Sequence, residues 1–194
     1  YNLGALRAPL LFRIRKRYLF TLSGGPIMDL VVVESGAKAK TIQKYLGKNI
    51  LVRASNGHVQ DLPNKGKDGS KALWKHTESA LPDPPWGWTE RAEKNIKKIL
   101  SDARSKKVKR VLIATDPDRE GEFIAWRLSE LFSEFKEIKR ITFNEITKTA
   151  IRDALDEAGS VDMNLVDAAK VRRFMDRLIG YRASRFARSW SLSS

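Results

Sequence analysis

The string Asp116-Pro117-Asp118-Arg119-Glu120-Gly121-Glu122 places four carboxylates within seven residues, directly after the apolar run Val111-Leu112-Ile113-Ala114-Thr115. In an extended turn alternate side chains share one side, so Asp116, Asp118 and Glu120 are expected to converge. Convergence of three acids is costly unless a cation neutralises them. Mg²⁺ suits such a donor set, because it is a hard ion held by a few carboxylates that keeps several waters and bridges to phosphate oxygens. A plainer reading has the acids cap the following helix, whose N-terminus favours negative charge. Capping explains one acid but not four, so Asp116, Asp118 and Glu120 are expected to be metal ligands. Arg119 either pairs with its neighbouring carboxylates or meets a phosphate.

Glu34 closes the first apolar run and is followed by Ser35-Gly36-Ala37-Lys38-Ala39-Lys40. A lone glutamate at a strand end is usually solvated. If this strand neighbours the one before Asp116, however, Glu34 lies at the same sheet edge and is available for proton transfer. Lys38 and Lys40 fall in the first turn of a helix, where the dipole disfavours cations. A phosphate would resolve that conflict by meeting both a lysine and the free helix N–H groups. Lys38 is the favoured candidate, and Lys40 reads equally well as a solvated surface lysine.

The elements that must position these residues follow a β/α alternation. Leu30-Val31-Val32-Val33 is a continuous apolar run, the mark of a strand buried on both faces of a parallel sheet. A helix is expected over Ala37 to Leu46, a strand over Ile50 to Ala54 and a helix over Thr89 to Ser105. The strand Val111 to Thr115 comes next, with a helix over Gly121 to Phe132, a strand over Arg140 to Phe143 and a helix over Lys148 to Glu157. Residues 61 to 89 contain Pro63, Gly66, Gly69, Pro82, Pro84, Pro85 and Gly87 and read as a long surface connection. The last element is a helix over Asp162 to Tyr181, whose apolar stripe runs through Ala168, Val171, Phe174, Leu178 and Tyr181. Its other face carries Arg172, Arg173, Asp176 and Arg177. The fold class is therefore α/β, an open and mainly parallel sheet flanked by helices.

Composition narrows the partners. The 194 residues hold 37 Lys and Arg against 23 Asp and Glu, a net charge of +14. That excess favours polyanions, because each neutralised phosphate releases condensed counterions. Five of the cations (Arg7, Arg13, Arg15, Lys16, Arg17) lie in the acid-free first 28 residues, and the remaining 32 against 23 acids still leave +9. The chain has no cysteine, which excludes disulfides and thiolate metal sites and fits a reducing cytoplasm. No apolar window is long enough for a membrane span. Residues 1–27 end in Ser23-Gly24-Gly25-Pro26 and precede Met28, and they read as a basic leader or as upstream sequence outside the native protein.

Taken in order, five stretches resemble the bacterial type IA DNA topoisomerases. They are Val31 to Ile42, then Gly57-His58-Val59-Gln60-Asp61-Leu62-Pro63, then Ala114 to Glu122, then Phe143-Asn144-Glu145-Ile146-Thr147, and finally Arg172-Arg173-Phe174-Met175-Asp176-Arg177. The resemblance implies a Toprim domain, a Rossmann-like module, over residues 28–145. It implies the truncated beginning of a helical topoisomerase domain over 146–194. Such enzymes relax negatively supercoiled DNA by cutting one strand through a tyrosine, passing another segment and resealing, without ATP. By resemblance Glu34 transfers a proton at the 3′ oxygen, Lys38 lies near the scissile phosphate, Arg119 belongs to the catalytic set, and Asp116, Asp118 and Glu120 hold Mg²⁺. Arg172, Arg173 and Asp176 match a helix near the single-strand groove, although Arg172 and Asp176 read equally well as an ordinary surface pair. His58 is either a structural donor or a group that helps position the site, and it is grouped with the DNA-contacting residues. His76 has no such context.

The implied partner is single-stranded or underwound DNA, bound by a monomer in the bacterial cytoplasm and nucleoid. This sequence departs from the family pattern at Gly36, where members carry proline, and the similarity fades after Tyr181. None of Tyr1, Tyr18, Tyr45 and Tyr181 matches the nucleophile, so the chain itself offers no cleaving tyrosine. Two other classes remain open: a Toprim primase using the same acids to join nucleotides, and a non-catalytic DNA-binding module.

Overall fold

The computed structural model describes residues 28–62, 86–89 and 91–191. The expectations for residues 1–27 and for His76, and most of the expected connection over 61–89, lie outside the described residues. The elements are β1 (Asp29–Val33), α1 (Gly36–Leu46), β2 (Ile50–Ala54), β3 (Gln60–Asp61), β4 (Gly87–Trp88), α2 (Ala92–Ser105), β5 (Arg110–Ala114), α3 (Arg119–Leu131), β6 (Glu137–Arg140), α4 (Lys148–Asp156) and α5 (Met163–Ser191).

Four strands form one sheet in the order β2-β1-β5-β6, and every neighbouring pair is parallel. The apolar runs dictate this arrangement, since β1 is buried along its whole length and β5 nearly so. Alternate residues feed opposite layers. Leu30, Val32, Val111 and Ile113 meet Ile96, Ile99 and Ala103 of α2 and Ile124, Ala125 and Leu128 of α3. Val31, Val33, Leu112 and Ala114 meet Ile42 of α1 with Ile151 and Ala154 of α4. The sheet is thus covered on both faces, as a fully parallel sheet requires. The long helix α5 packs against α3 rather than against the sheet.

Three sequence expectations need correction. The last sheet strand is Glu137–Arg140, not Arg140 to Phe143. Edge pairing engages the backbone of Glu137-Ile138-Lys139-Arg140, while Ile141 and Phe143 pack with the α1 and α4 layer, so the apolar letters mark burial rather than the ladder. Gln60–Asp61 and Gly87–Trp88 form a small antiparallel pair within what was expected to be surface connection. Finally, α5 continues to Ser191 instead of stopping near Tyr181. Residues 182–191 contain no proline to stop it, and loss of an apolar stripe does not end a helix whose backbone remains compatible.

Candidate functional site

The sheet order reverses direction between β1 and β5. From β1 the chain crosses to β2 on one side, and β5 joins on the other. Ligands in open α/β sheets bind beyond the strands' carboxyl ends at such a switch point. Val33 and Ala114 lie in register at the ends of these neighbouring strands, so Glu34 and Asp116 emerge side by side. The Glu34 carboxylate accepts the backbone N–H of Asp116 at 2.7 Å. Its own carbonyl accepts the Gly57 N–H at 2.9 Å, and the Ser55 N–H donates to Val33 O at 2.8 Å. Gly57 has φ 88°, a conformation favourable to glycine, which lets the loop after β2 curl over the end of β1.

The two helices that leave this edge bring further groups. Ser35 caps α1, accepting the Lys38 N–H at 3.3 Å. The Lys38 ammonium then forms an ion pair with the Asp116 carboxylate, both side chains being partly exposed. Lys40 is exposed. Asp118 caps α3, with its Oδ1 accepting the Gly121 N–H at 2.7 Å. Gly121 is required there because a Cβ would lie 2.1 Å from the Asp116 carbonyl oxygen.

The expected extended alternation through Asp116, Asp118 and Glu120 does not occur. The chain enters helix at Arg119, so Glu120 lies in the first turn of α3 and Asp118 takes the capping role. The helix hydrogen bonds and the Asp118 cap stabilise this geometry more than a continued extended turn would. Among the described residues no three His, Cys, Asp or Glu side chains stand together closely enough to form a metal cage. Arg119 is exposed and forms no ion pair among the described residues. Glu122 leaves the cluster altogether, being buried in an ion pair with Arg140.

Helix α5 supplies a cation from the opposite side. Phe174 stacks on Trp86 at 6.3 Å between ring centroids, and Trp86 in turn packs edge-on against Phe123 and Trp126 of α3. This aromatic seam fixes the rotation of α5. Arg173, the next residue back, then lies with its guanidinium 4.2 Å from the centre of the Phe123 ring. It donates to Glu120 through Nη2 and meets Asp61 through Nη1 at 2.8 Å, with only 12% of its side chain exposed. His58 stands 3.2 Å from the same guanidinium and 3.6 Å from the Glu120 carboxylate. Burial, reinforced by the Arg173 charge, pushes the His58 imidazole below its usual pKa, against the opposing pull of Glu120, Asp61 and Glu34.

Thus Glu34, Lys38, Asp116, His58, Glu120 and Arg173 meet at one sheet edge. Arg172 and Asp176 do not join them. They form an exposed pair 3.6 Å apart, the surface-pair alternative weighed from their spacing. Asp61 was overlooked as a site residue, though it lies in the quoted Gly57 to Pro63 stretch. A cation on α5 would have pointed to it only with the tertiary fold in hand.

Comparisons with known proteins identify the family. Residues 29–146 match the Toprim domain family. The chain is 41% identical over 182 residues to DNA topoisomerase 1 of Pseudomonas aeruginosa, an alignment that covers 80% of this chain and 21% of that protein. It also superimposes on full-length topoisomerase I from Thermotoga maritima with a TM-score of 0.66 and 38% identity, covering 78% of this chain and 24% of that one. The chain therefore spans between a fifth and a quarter of the length of the relatives it matches.

Proposed function

Because the chain belongs to the Toprim family and matches bacterial topoisomerase I in sequence and structure, we propose that it supplies the metal-binding and proton-transfer half of a type IA DNA topoisomerase. The observation that carries this reading is the Glu34 carboxylate held on the Asp116 backbone, with Lys38 on the Asp116 side chain. These three groups place an acid–base residue, a cation and a carboxylate turn where a phosphodiester can approach all of them.

Asp116, Asp118 and Glu120 would hold Mg²⁺. Their chemistry fits, since all three are hard oxygen donors beyond a strand end and at least partly open to solvent. Two of them already face protein cations, which suits an ion held by one or two carboxylates together with water and substrate phosphate rather than by an all-protein cage. When bound, Mg²⁺ supplies charge neutralisation and orientation for phosphate oxygens during resealing. Glu34 gives and takes the proton at the 3′ oxygen of the broken strand, and Lys38 lies against the scissile phosphate. Arg119, exposed in the first turn of α3, meets the DNA backbone, while His58 and Arg173 border the groove for the single strand.

The attacking tyrosine comes from a part of the parent protein beyond the matched region. Its phosphate ester keeps the energy of the broken bond, so relaxation of negative supercoils proceeds without ATP. The parent acts as a monomer on single-stranded or underwound DNA in the bacterial cytoplasm and nucleoid. No helix among the described residues is long and apolar enough to cross a membrane.

The test is a reconstitution. By itself the 194-residue chain binds single-stranded DNA with an affinity that falls steeply as salt rises, and it relaxes no supercoiled plasmid. Addition of the tyrosine-bearing remainder restores relaxation, and template-directed nucleotide joining is absent throughout. Relaxation by the chain alone, or primase activity in its place, would overturn the reading.

A further inference from the structure

Glu122 is the fourth acid of the cluster, and the proposed chemistry does not use it. Its side chain is 5% exposed and Arg140, at the end of β6, is 3% exposed, with Nε to Oε1 at 2.8 Å. Both terminal nitrogens of the guanidinium are also engaged. Nη1 donates to Ile113 O at 3.2 Å and to Ile141 O, and Nη2 donates to Asp116 O at 2.9 Å. The second Glu122 oxygen accepts the Asp162 N–H at 3.0 Å, just before α5. One buried pair thereby joins β5, the acidic turn, β6, α3 and the start of the helix that carries Arg173.

Asp116 is consequently gripped at both ends of its main chain. Its N–H goes to Glu34, its carbonyl goes to Arg140, and Gly121 closes against its backbone. Burial of an ion pair does not by itself stabilise a fold, because desolvation offsets the attraction and well-packed apolar residues often do as well. What apolar residues cannot replace are the bonds to Asp116 O and to Asp162 N–H. We propose that Arg140 and Glu122 are positioning residues that set the Asp116 turn and the start of α5 for the metal and phosphate chemistry. This inference rests on the metal reading above.

Two variants separate positioning from stability. The double substitution Arg140→Leu with Glu122→Met removes both charges together and keeps a packed interior. Arg140→Lys keeps the charge, but a single ammonium cannot reach Glu122 and the Asp116 carbonyl in the fork geometry of a guanidinium. Both should melt cooperatively by circular dichroism and yet bind Mg²⁺ or Mn²⁺ about tenfold or more weakly than wild type, as loss of groups that orient metal-binding carboxylates usually does. A readout without metal accompanies this. In wild type the amides of Asp116 and Asp162 resist hydrogen exchange; Asp116 exchanges faster in both variants and Asp162 in the double variant, which removes its Glu122 acceptor, while Leu112 and Ile113 in β5 stay protected.

A folded variant with wild-type metal affinity and unchanged Asp116 and Asp162 exchange would overturn the proposal. So would fast exchange at Asp116 and Asp162 in wild type, a result that needs no variant to fold. If wild type binds no metal yet the exchange pattern holds, the metal reading fails and the positioning role of the pair stands.

Discussion

The carboxylate of Glu34 accepts the backbone N–H of Asp116 at 2.7 Å across 82 positions of sequence. This bond ties the group proposed to move a proton to the turn proposed to hold the metal. It also separates two roles within one side chain. Glu34→Gln keeps an oxygen that can accept the Asp116 N–H, so the variant should fold and bind Mg²⁺ within about twofold of wild type, given that neutral acceptors replace charged ones at modest cost. Incorporated into the full parent protein it should lose DNA cleavage and resealing, because an amide cannot exchange the proton. Glu34→Ala should lose metal affinity as well. Equal metal affinities for the Gln and Ala variants would show that the bond to Asp116 does not position the turn.

Gly121 provides a test through stability. In an ordinary helix interior, Gly→Ala stabilises by about 1 kcal/mol. Here the added methyl would lie 2.1 Å from the Asp116 carbonyl oxygen, and backbone rather than a flexible side chain would have to yield. Gly121→Ala should therefore destabilise, by about 1–3 kcal/mol as overpacking does, and should weaken metal binding with it. Urea denaturation gives the sign. Increased stability would contradict the close approach of α3 to the acidic turn.

His58 carries the pH dependence. Its folded pKa lies below the unfolded value of 6.5, first through burial and then through Arg173. The unfolded chain then binds the proton more readily, so stability is fully present above 6.5 and is lost as pH falls from 6.5 through the folded pKa. In metal-free protein, NMR titration should find His58 below 6.5, and Arg173→Gln should move it upward because the nearest cation is gone. An unmoved His58 in that variant would contradict the contact between the Arg173 guanidinium and the His58 imidazole.

Lys38 competes for the same carboxylate that the metal needs. Its pair with Asp116 is partly exposed, at 28% and 49% for the two side chains. Such pairs contribute about 0–1 kcal/mol, which bounds the gain in Mg²⁺ affinity for Lys38→Met at about fivefold in the absence of DNA. In the full protein the same substitution should impair cleavage, since the phosphate loses its cation. Weaker Mg²⁺ binding by Lys38→Met would show that the lysine assists the metal instead of opposing it.

The sheet was legible in the sequence because the central strands β1 and β5, and the inner residues of the edge strand β2, are buried and write themselves as apolar runs. Their order was not legible: the adjacency of Glu34 and Asp116 stood only as a condition on β1 and β5 being neighbours, a condition the structure meets. The edge strand β6 was misplaced because half-exposed pairing leaves a mixed pattern, while the apolar Ile141 and Phe143 belong to the next layer. Arg173 and Arg172 were indistinguishable as letters. Only the aromatic seam between α3 and α5 sets the rotation that brings one to Glu120 and leaves the other at the surface. Glu122 was counted with the acidic cluster, though not as a ligand, because spacing shows charge but not burial, and its buried partner Arg140 lies 18 positions on, at the end of β6.

The central claim is that the acidic turn of this chain binds Mg²⁺. Calorimetric titration of Mg²⁺ into the 194-residue protein and into Asp116→Ala and Asp118→Ala forms tests it most directly. The account predicts measurable binding by wild type and at least about tenfold weaker binding by each variant, the loss expected when a charged ligand is removed from a hard-cation site. Equal affinity in all three proteins, or no binding by wild type, would contradict it.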